Sequence, residues 1–112
     1  SPLVFSQESG TLLCGWGSTQ GSIIEAGQVL RGMGHDVGWL IFKDLWPLDW
    51  EKVTALAGDK KLIMVEQNAT GQLGSLITGQ TGIFPAGRVL KYDGRPMGPR
   101  FIVQTITTMM EQ

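Results

Sequence analysis

Apolar residues fall along this chain in two alternating rhythms. Short unbroken runs, Leu12-Leu13-Cys14, Val37 to Phe42 and Leu62 to Val65, predict strands covered on both faces. Between them, apolar positions recur every three or four residues, as on one face of a helix. Ile23, Ala26, Gly27, Leu30 and Met33 keep that spacing, as do Leu73, Leu76 and Ile77, and then Ile102, Ile106 and Met109 beside Phe101.

Boundary signals place the elements. Leu3-Val4-Phe5 is a short first strand that can form a hairpin with Thr11 to Trp16 across the turn signal Glu8-Ser9-Gly10. A helix starts at Ser18 or Ser22 and runs to Met33. Ser22 and Glu25 fit a capping box, Ser18 or Thr19 can cap one turn earlier, and Gly34 is the stop. After the third strand, Asp49 caps a short helix through Ala57, with Gly58 beyond it. A strand over Leu62 to Val65 leads to a helix from Thr70 to about Thr78, capped by Thr70 and broken by Gly79, Thr81 and Gly82. A last strand spans Arg88 to Tyr92, Asp93-Gly94-Arg95-Pro96 turns, and Pro99 opens the terminal helix at its first position. Strands alternating with helices predict a largely parallel sheet with helices on both faces.

Composition narrows the function classes. A chain of 112 residues suits one domain with one core. Net charge is −1 with no basic run, so there is no footprint for nucleic acid. No apolar stretch approaches the roughly 20 residues needed to span a bilayer, and no signal peptide is visible. A start at Ser1 rather than Met points to a processed or excised piece. The one cysteine, Cys14, lies in an apolar run and reads as a small core residue. With one Cys and one His, neither a Cys/His zinc site nor an iron–sulfur ligand set can be assembled.

Three motifs bear on chemistry. Gly15-Trp16-Gly17-Ser18-Thr19-Gln20-Gly21 is a strand-to-helix turn spaced G-x-G-x-x-x-G, one residue off the dinucleotide fingerprint, and the acidic residue expected about 20 positions on is missing. It reads as a tight turn that lets helix and sheet approach. His35-Asp36 falls in a helix-to-strand turn, the wrong end of a parallel sheet for a site. Glu66, Gln67, Asn68 and Thr70 cluster where a buried strand ends, the usual place for functional groups in an open α/β sheet. They form either a site or a well-bonded turn. Trp46, Leu48 and Trp50 crowd one loop, either as a cover on the core edge or as an apolar patch that docks against another domain.

Gly15-Trp16-Gly17-Ser18-Thr19, Val65-Glu66-Gln67-Asn68-Ala69-Thr70-Gly71-Gln72-Leu73 and Leu90-Lys91-Tyr92-Asp93-Gly94-Arg95-Pro96, in this order and at these separations, closely resemble the C-terminal domain of the α subunit of 2-oxoacid:ferredoxin oxidoreductases. Leu45-Trp46-Pro47 also fits that pattern, and the resemblance runs from about Thr11 to the end. More distantly, the chain resembles the C-terminal domain of transketolase-like thiamine enzymes. The resemblance implies a three-layer α/β/α fold with a five-stranded, mostly parallel mixed sheet and one antiparallel edge strand, for which Leu3 to Phe5 is the candidate. Residues 1–112 are then one domain of a longer α subunit.

The resemblance further implies a whole enzyme that decarboxylates a 2-oxoacid on thiamine diphosphate, passes electrons through iron–sulfur clusters to ferredoxin and forms an acyl-CoA. The family's diphosphate- and Mg²⁺-binding motif lies on the partner β subunit, and its 2-oxoacid-recognising segment in an upstream domain of the α subunit. The fragment is therefore expected to bind no cofactor and to catalyse nothing alone, in a cytoplasmic enzyme. Arg100-Phe101 departs from the acidic residues that family members often carry after the proline. No catalytic residue carries over. Glu66, Gln67, Asn68 and Thr70, with Lys91, Asp93 and Arg95 from the end of the next strand, are the candidates for a polar network facing a neighbouring domain or subunit. Arg95 also suits direct contact with a carboxylate or phosphate of substrate or CoA. The rival reading is a freestanding nucleotide- or CoA-binding α/β module.

Overall fold

The strands of one five-stranded sheet lie in the order Leu3–Phe5, Val37–Phe42, Thr11–Trp16, Lys61–Glu66 and Gly87–Leu90, which puts the three continuous apolar runs inside it. The structure is a computed structural model and describes residues 3–6, 9–43, 49–66, 72–90 and 97–110. Its strands are β1 (Leu3–Phe5), β2 (Thr11–Trp16), β3 (Val37–Phe42), β4 (Lys61–Glu66) and β5 (Gly87–Leu90), and its α-helices are α1 (Gln20–Gly32), α2 (Trp50–Ala57), α3 (Gln72–Thr81) and α4 (Pro99–Met110). Strands β2 to β5 pair in parallel, with Cys14 opposite both Leu40 and Met64, and Glu66 opposite Leu90.

The predicted hairpin between the first two strands does not form. β1 pairs antiparallel with β3, Leu3 against Phe42 and Phe5 against Leu40, and so becomes an edge strand. The Ser6 hydroxyl fastens this crossing, accepting the Trp39 N–H at 2.7 Å. Arg31 reinforces it from α1: its Nε donates to the Val37 carbonyl at 2.6 Å, its Nη2 donates to Ser9 Oγ at 3.2 Å, and its guanidinium lies 4.8 Å from the Trp39 ring centroid.

Alternation along the strands builds two cores. Leu13, Ile63, Val65 and Val89 face α1 and α4, where Ile23, Ala26, Leu30, Ile102 and Ile106 complete one cluster. Leu12, Cys14, Leu62 and Met64 face α2 and α3, where Val53, Ala57, Leu73 and Ile77 complete the other. Burial on both faces explains why these strands read as continuous apolar runs rather than alternating ones. This is the three-layer, mixed five-stranded arrangement that the resemblance implied.

Several local expectations need correction. α1 begins at Gln20 after one turn of 3-10 helix over Gly17–Thr19, so Ser22 and Glu25 lie inside the helix and form no capping box. The Thr19 hydroxyl is spent on the Trp16 carbonyl at 2.9 Å. Met33 is 55% exposed and Leu76 half-buried, so neither is a core anchor. α3 continues through Gly79 to Thr81 and ends at Gly82, whose φ is 79°. Other signals were read correctly: Asp49 Oδ1 accepts the N–H groups of Glu51 and Lys52, and Gly34, at φ 95°, follows α1.

Gly15 sets the closest approach of helix to sheet. A Cβ there would meet Ile23 Cδ1 at 2.5 Å and both Thr19 Oγ1 and the Val65 carbonyl oxygen at 3.0 Å. Gly15→Ala must push α1 away from β2 or force Ile23 off its rotamer, an overpacking cost of about 1–3 kcal/mol. A urea-unfolding midpoint unchanged from the parent would contradict this account.

Candidate functional site

Strand β4 carries a charge into the dry core at its carboxyl end. Leu62, Ile63, Met64 and Val65 are buried, and Glu66, next along the chain, is only 1% exposed. The pleat turns Glu66 to the same sheet face as Met64, toward α3. Its Oε1 accepts the Leu73 backbone N–H at 2.6 Å, a short charge-assisted bond to the second residue of α3. First-turn N–H groups of a helix have no partner within the helix, and the helix dipole favours an anion there. Glu66 thus accepts from the first turn of α3 across from the end of the strand, and the Thr70 cap expected from the sequence lies outside the described residues. Glu66 Oε2 is buried and has no hydrogen-bond partner among the described residues.

Around this carboxylate the sheet ends in aromatic side chains. Trp16, at the end of β2, packs on the α2–α3 core. Phe42, at the end of β3, meets Trp50 with ring centroids 6.1 Å apart and planes inclined by 30°. Trp50 is therefore partly consumed in covering the core edge. Gln67, Asn68, Thr70, Lys91, Asp93, Arg95, Trp46 and Leu48 lie outside the described residues. Of the candidates named from sequence, the structure thus places Glu66 and Trp50, both on the α2–α3 face.

Two other features change status. Cys14 is fully buried, and burial pushes its thiol well above the usual range, so it holds no thiolate and behaves as a core residue. The turn around Gly15 is filled by Ile23 and Thr19, which gives the glycine a packing reason. No group of three or more His, Cys, Asp or Glu among the described residues is placed to hold a metal ion. None of the described helices is long and apolar enough to cross a membrane.

Sequence reasoning passed over Arg88. It lies on β5 opposite Met64, and its Nη2 lies 3.7 Å from where a Gly74 Cβ would stand. The period-2 pattern of β5 was the available signal, because it puts Arg88 on the same sheet face as Met64 and Glu66.

Comparison with known proteins places the whole arrangement. No family model matches the chain. Over 91 residues, 80% of its length, it is 37% identical to the α subunit of 2-oxoacid:ferredoxin oxidoreductase 2 of Aeropyrum pernix. Its homologues are 2-oxoacid:ferredoxin oxidoreductase α subunits. The chain spans only 14% of the length of that Aeropyrum α subunit. Among solved structures, it matches a 2-oxoglutarate:ferredoxin oxidoreductase from Magnetococcus marinus, with 2-oxoglutarate, coenzyme A and succinyl-CoA bound, at a TM-score of 0.84 and 30% identity. That match covers 96% of this chain and 19% of the other. The α chain of a probable 2-oxoacid ferredoxin oxidoreductase from Thermoplasma acidophilum matches at a TM-score of 0.66 and 28% identity, covering 98% of this chain and 96% of that one. A split-gene transketolase, an inactive β4 tetramer, shares the fold alone, at a TM-score of 0.71 and 17% identity, over 99% of this chain and 42% of its own.

Replacing Glu66 with Ala deletes the cap on α3 and leaves the Leu73 N–H unpaired. The expected cost is about 0.5–2 kcal/mol. Hydrogen exchange should accelerate at Leu73 and in the first turn of α3 well before it does in β2. Uniform acceleration across the domain would show that the contact is not local to α3.

Proposed function

We propose that this chain is the C-terminal, non-catalytic interface domain of the α subunit of a thiamine diphosphate-dependent 2-oxoacid:ferredoxin oxidoreductase. One observation carries the reading: 37% identity to such an α subunit over 80% of this chain, within only 14% of that subunit's length. The whole enzyme decarboxylates a 2-oxoacid, transfers the acyl group to coenzyme A and delivers the electrons to ferredoxin, in the cytoplasm. Its partners are the upstream domains of the α subunit and a β subunit.

The chain's own donors bear on which part of that chemistry it can hold. Iron–sulfur clusters need several thiolates, and Cys14 is the sole cysteine and is buried. A single buried thiol does not fit such a cluster, and no step of the reaction is assigned to this domain.

Its proposed part is to present the carboxyl edge of the sheet to a neighbour. Glu66, Gln67, Asn68 and Thr70, with Lys91, Asp93 and Arg95, form the polar contact. Trp46, Leu48 and Trp50 form an adjoining apolar contact. Glu66 Oε2, buried and without a partner among the described residues, marks this strand end as a place where a donor is still to be supplied.

In the assembled enzyme, Glu66→Gln or Arg95→Ala should weaken association of this domain with its neighbours and leave turnover per assembled enzyme unchanged. Size-exclusion chromatography with light scattering reads the first, and steady-state rates normalised to assembled enzyme read the second. Intact assembly with a raised Michaelis constant for coenzyme A or the 2-oxoacid would replace the interface with a binding role.

A further inference from the structure

The free oxygen of Glu66 and the guanidinium of Arg88 are each without a partner among the described residues, yet they share one face of the sheet. Parallel pairing of β4 with β5 sets Arg88 opposite Met64 and Leu90 opposite Glu66, so Arg88 is the diagonal neighbour of Glu66. Strands about 4.8 Å apart with a rise of about 3.3 Å per residue separate such diagonal positions by about 8 Å. An arginine and a glutamate side chain together span that gap.

Gly74 of α3 lies beside both groups. Arg88 Nη2 lies 3.7 Å from a Cβ built on Gly74, the residue after Leu73, whose N–H already bonds Glu66 Oε1. A side chain at position 74 would stand between the guanidinium and the first turn of α3. It would also crowd Met64 Cγ at 3.3 Å. Lys43, a described cation at the end of β3, has its Cα, Cβ and Cγ within 3.4–3.8 Å of a Cβ built on Gly17, at the turn after β2.

We propose that Arg88 is the positioning counter-charge of Glu66: its guanidinium swings from above Gly74 onto Oε2, so that one carboxylate ties the first turn of α3 to the edge strand β5. The pair joins the carboxyl ends of β4 and β5. This deepens the polar-network reading, on which it rests, by naming Arg88 on the same chain, in place of Lys91 or Arg95, as the donor to Oε2. A planar guanidinium suits this role better than an ammonium because it donates in a fixed fork to a carboxylate.

A double-mutant cycle on the 112-residue chain tests the pair. Arg88→Met should lower the urea midpoint in the parent and leave it unchanged in a Glu66→Gln background, with Arg88→Lys restoring part of the loss. Arg95→Met should lower it equally in both backgrounds or not at all. Equal losses from Arg88→Met with and without Glu66 would overturn the pairing. Coupling of Arg95 in place of Arg88 would also overturn it, while leaving the polar network standing. Should Glu66→Gln fail to fold, NMR of the unaltered protein decides. A correlation across the hydrogen bond, from an Arg88 guanidinium nitrogen to the Glu66 carboxyl carbon, is expected. A guanidinium signal in fast exchange with water refutes the contact.

Discussion

A carboxylate at the end of a dry strand constrains everything near it. Glu66 follows four buried apolar residues and cannot reach water, so its charge has to be met by the protein. The Leu73 N–H, in the first turn of α3, meets half of that need. The position of α3 then fixes where Leu73 and Ile77 enter the core and how much room remains at Gly74. Moving the acid by one residue would turn it to the α1–α4 face, among Ile63, Val65 and Val89, where the described core is apolar. The local chemistry of the Val65-Glu66 step is thus tied to the register of the whole sheet.

The opposite end of the sheet is held by a different device. There the side chains of Ser6, Arg31, Lys60 and Asp36 bond backbone groups directly: Lys60 Nζ donates to the Ser9 carbonyl at 2.6 Å, and Asp36 Oδ2 accepts the Gly10 N–H at 2.8 Å. These contacts lock the amino ends of β2 and β4 and the return of the chain from β1.

Much of this architecture was legible in the residues. The continuous runs of β2, β3 and β4 announced burial on two faces, and Asp49 and Pro99 marked helix starts by rules that need no tertiary context. What escaped was set by contacts distant in sequence. β1 could not be assigned to β3 from local signals, since a strand of three residues says nothing about its partner. The start of α1 was misjudged because Thr19 turns its hydroxyl back to Trp16, removing the expected cap. The bond from Leu73 to Glu66 joins residues seven positions apart, a contact that local capping rules do not specify. At the site, the pattern singled out the end of β4 and Glu66, whose burial and bond to Leu73 the structure describes, while Arg88 comes beside that strand end only once β5 is laid against β4 in register.

The pairing of β1 with β3 has a consequence for solubility. β3 reads Val-Gly-Trp-Leu-Ile-Phe, six residues with no charge and no proline, the composition of a segment that stacks into cross-β assemblies when its edge is bare. Three residues of β1, hydrogen-bonded along that edge, hide its backbone donors and acceptors from other molecules. The shortest strand of the sheet therefore acts as a guard. Its contribution would be felt less in the stability of a single molecule than in how concentrated a solution of such molecules can become.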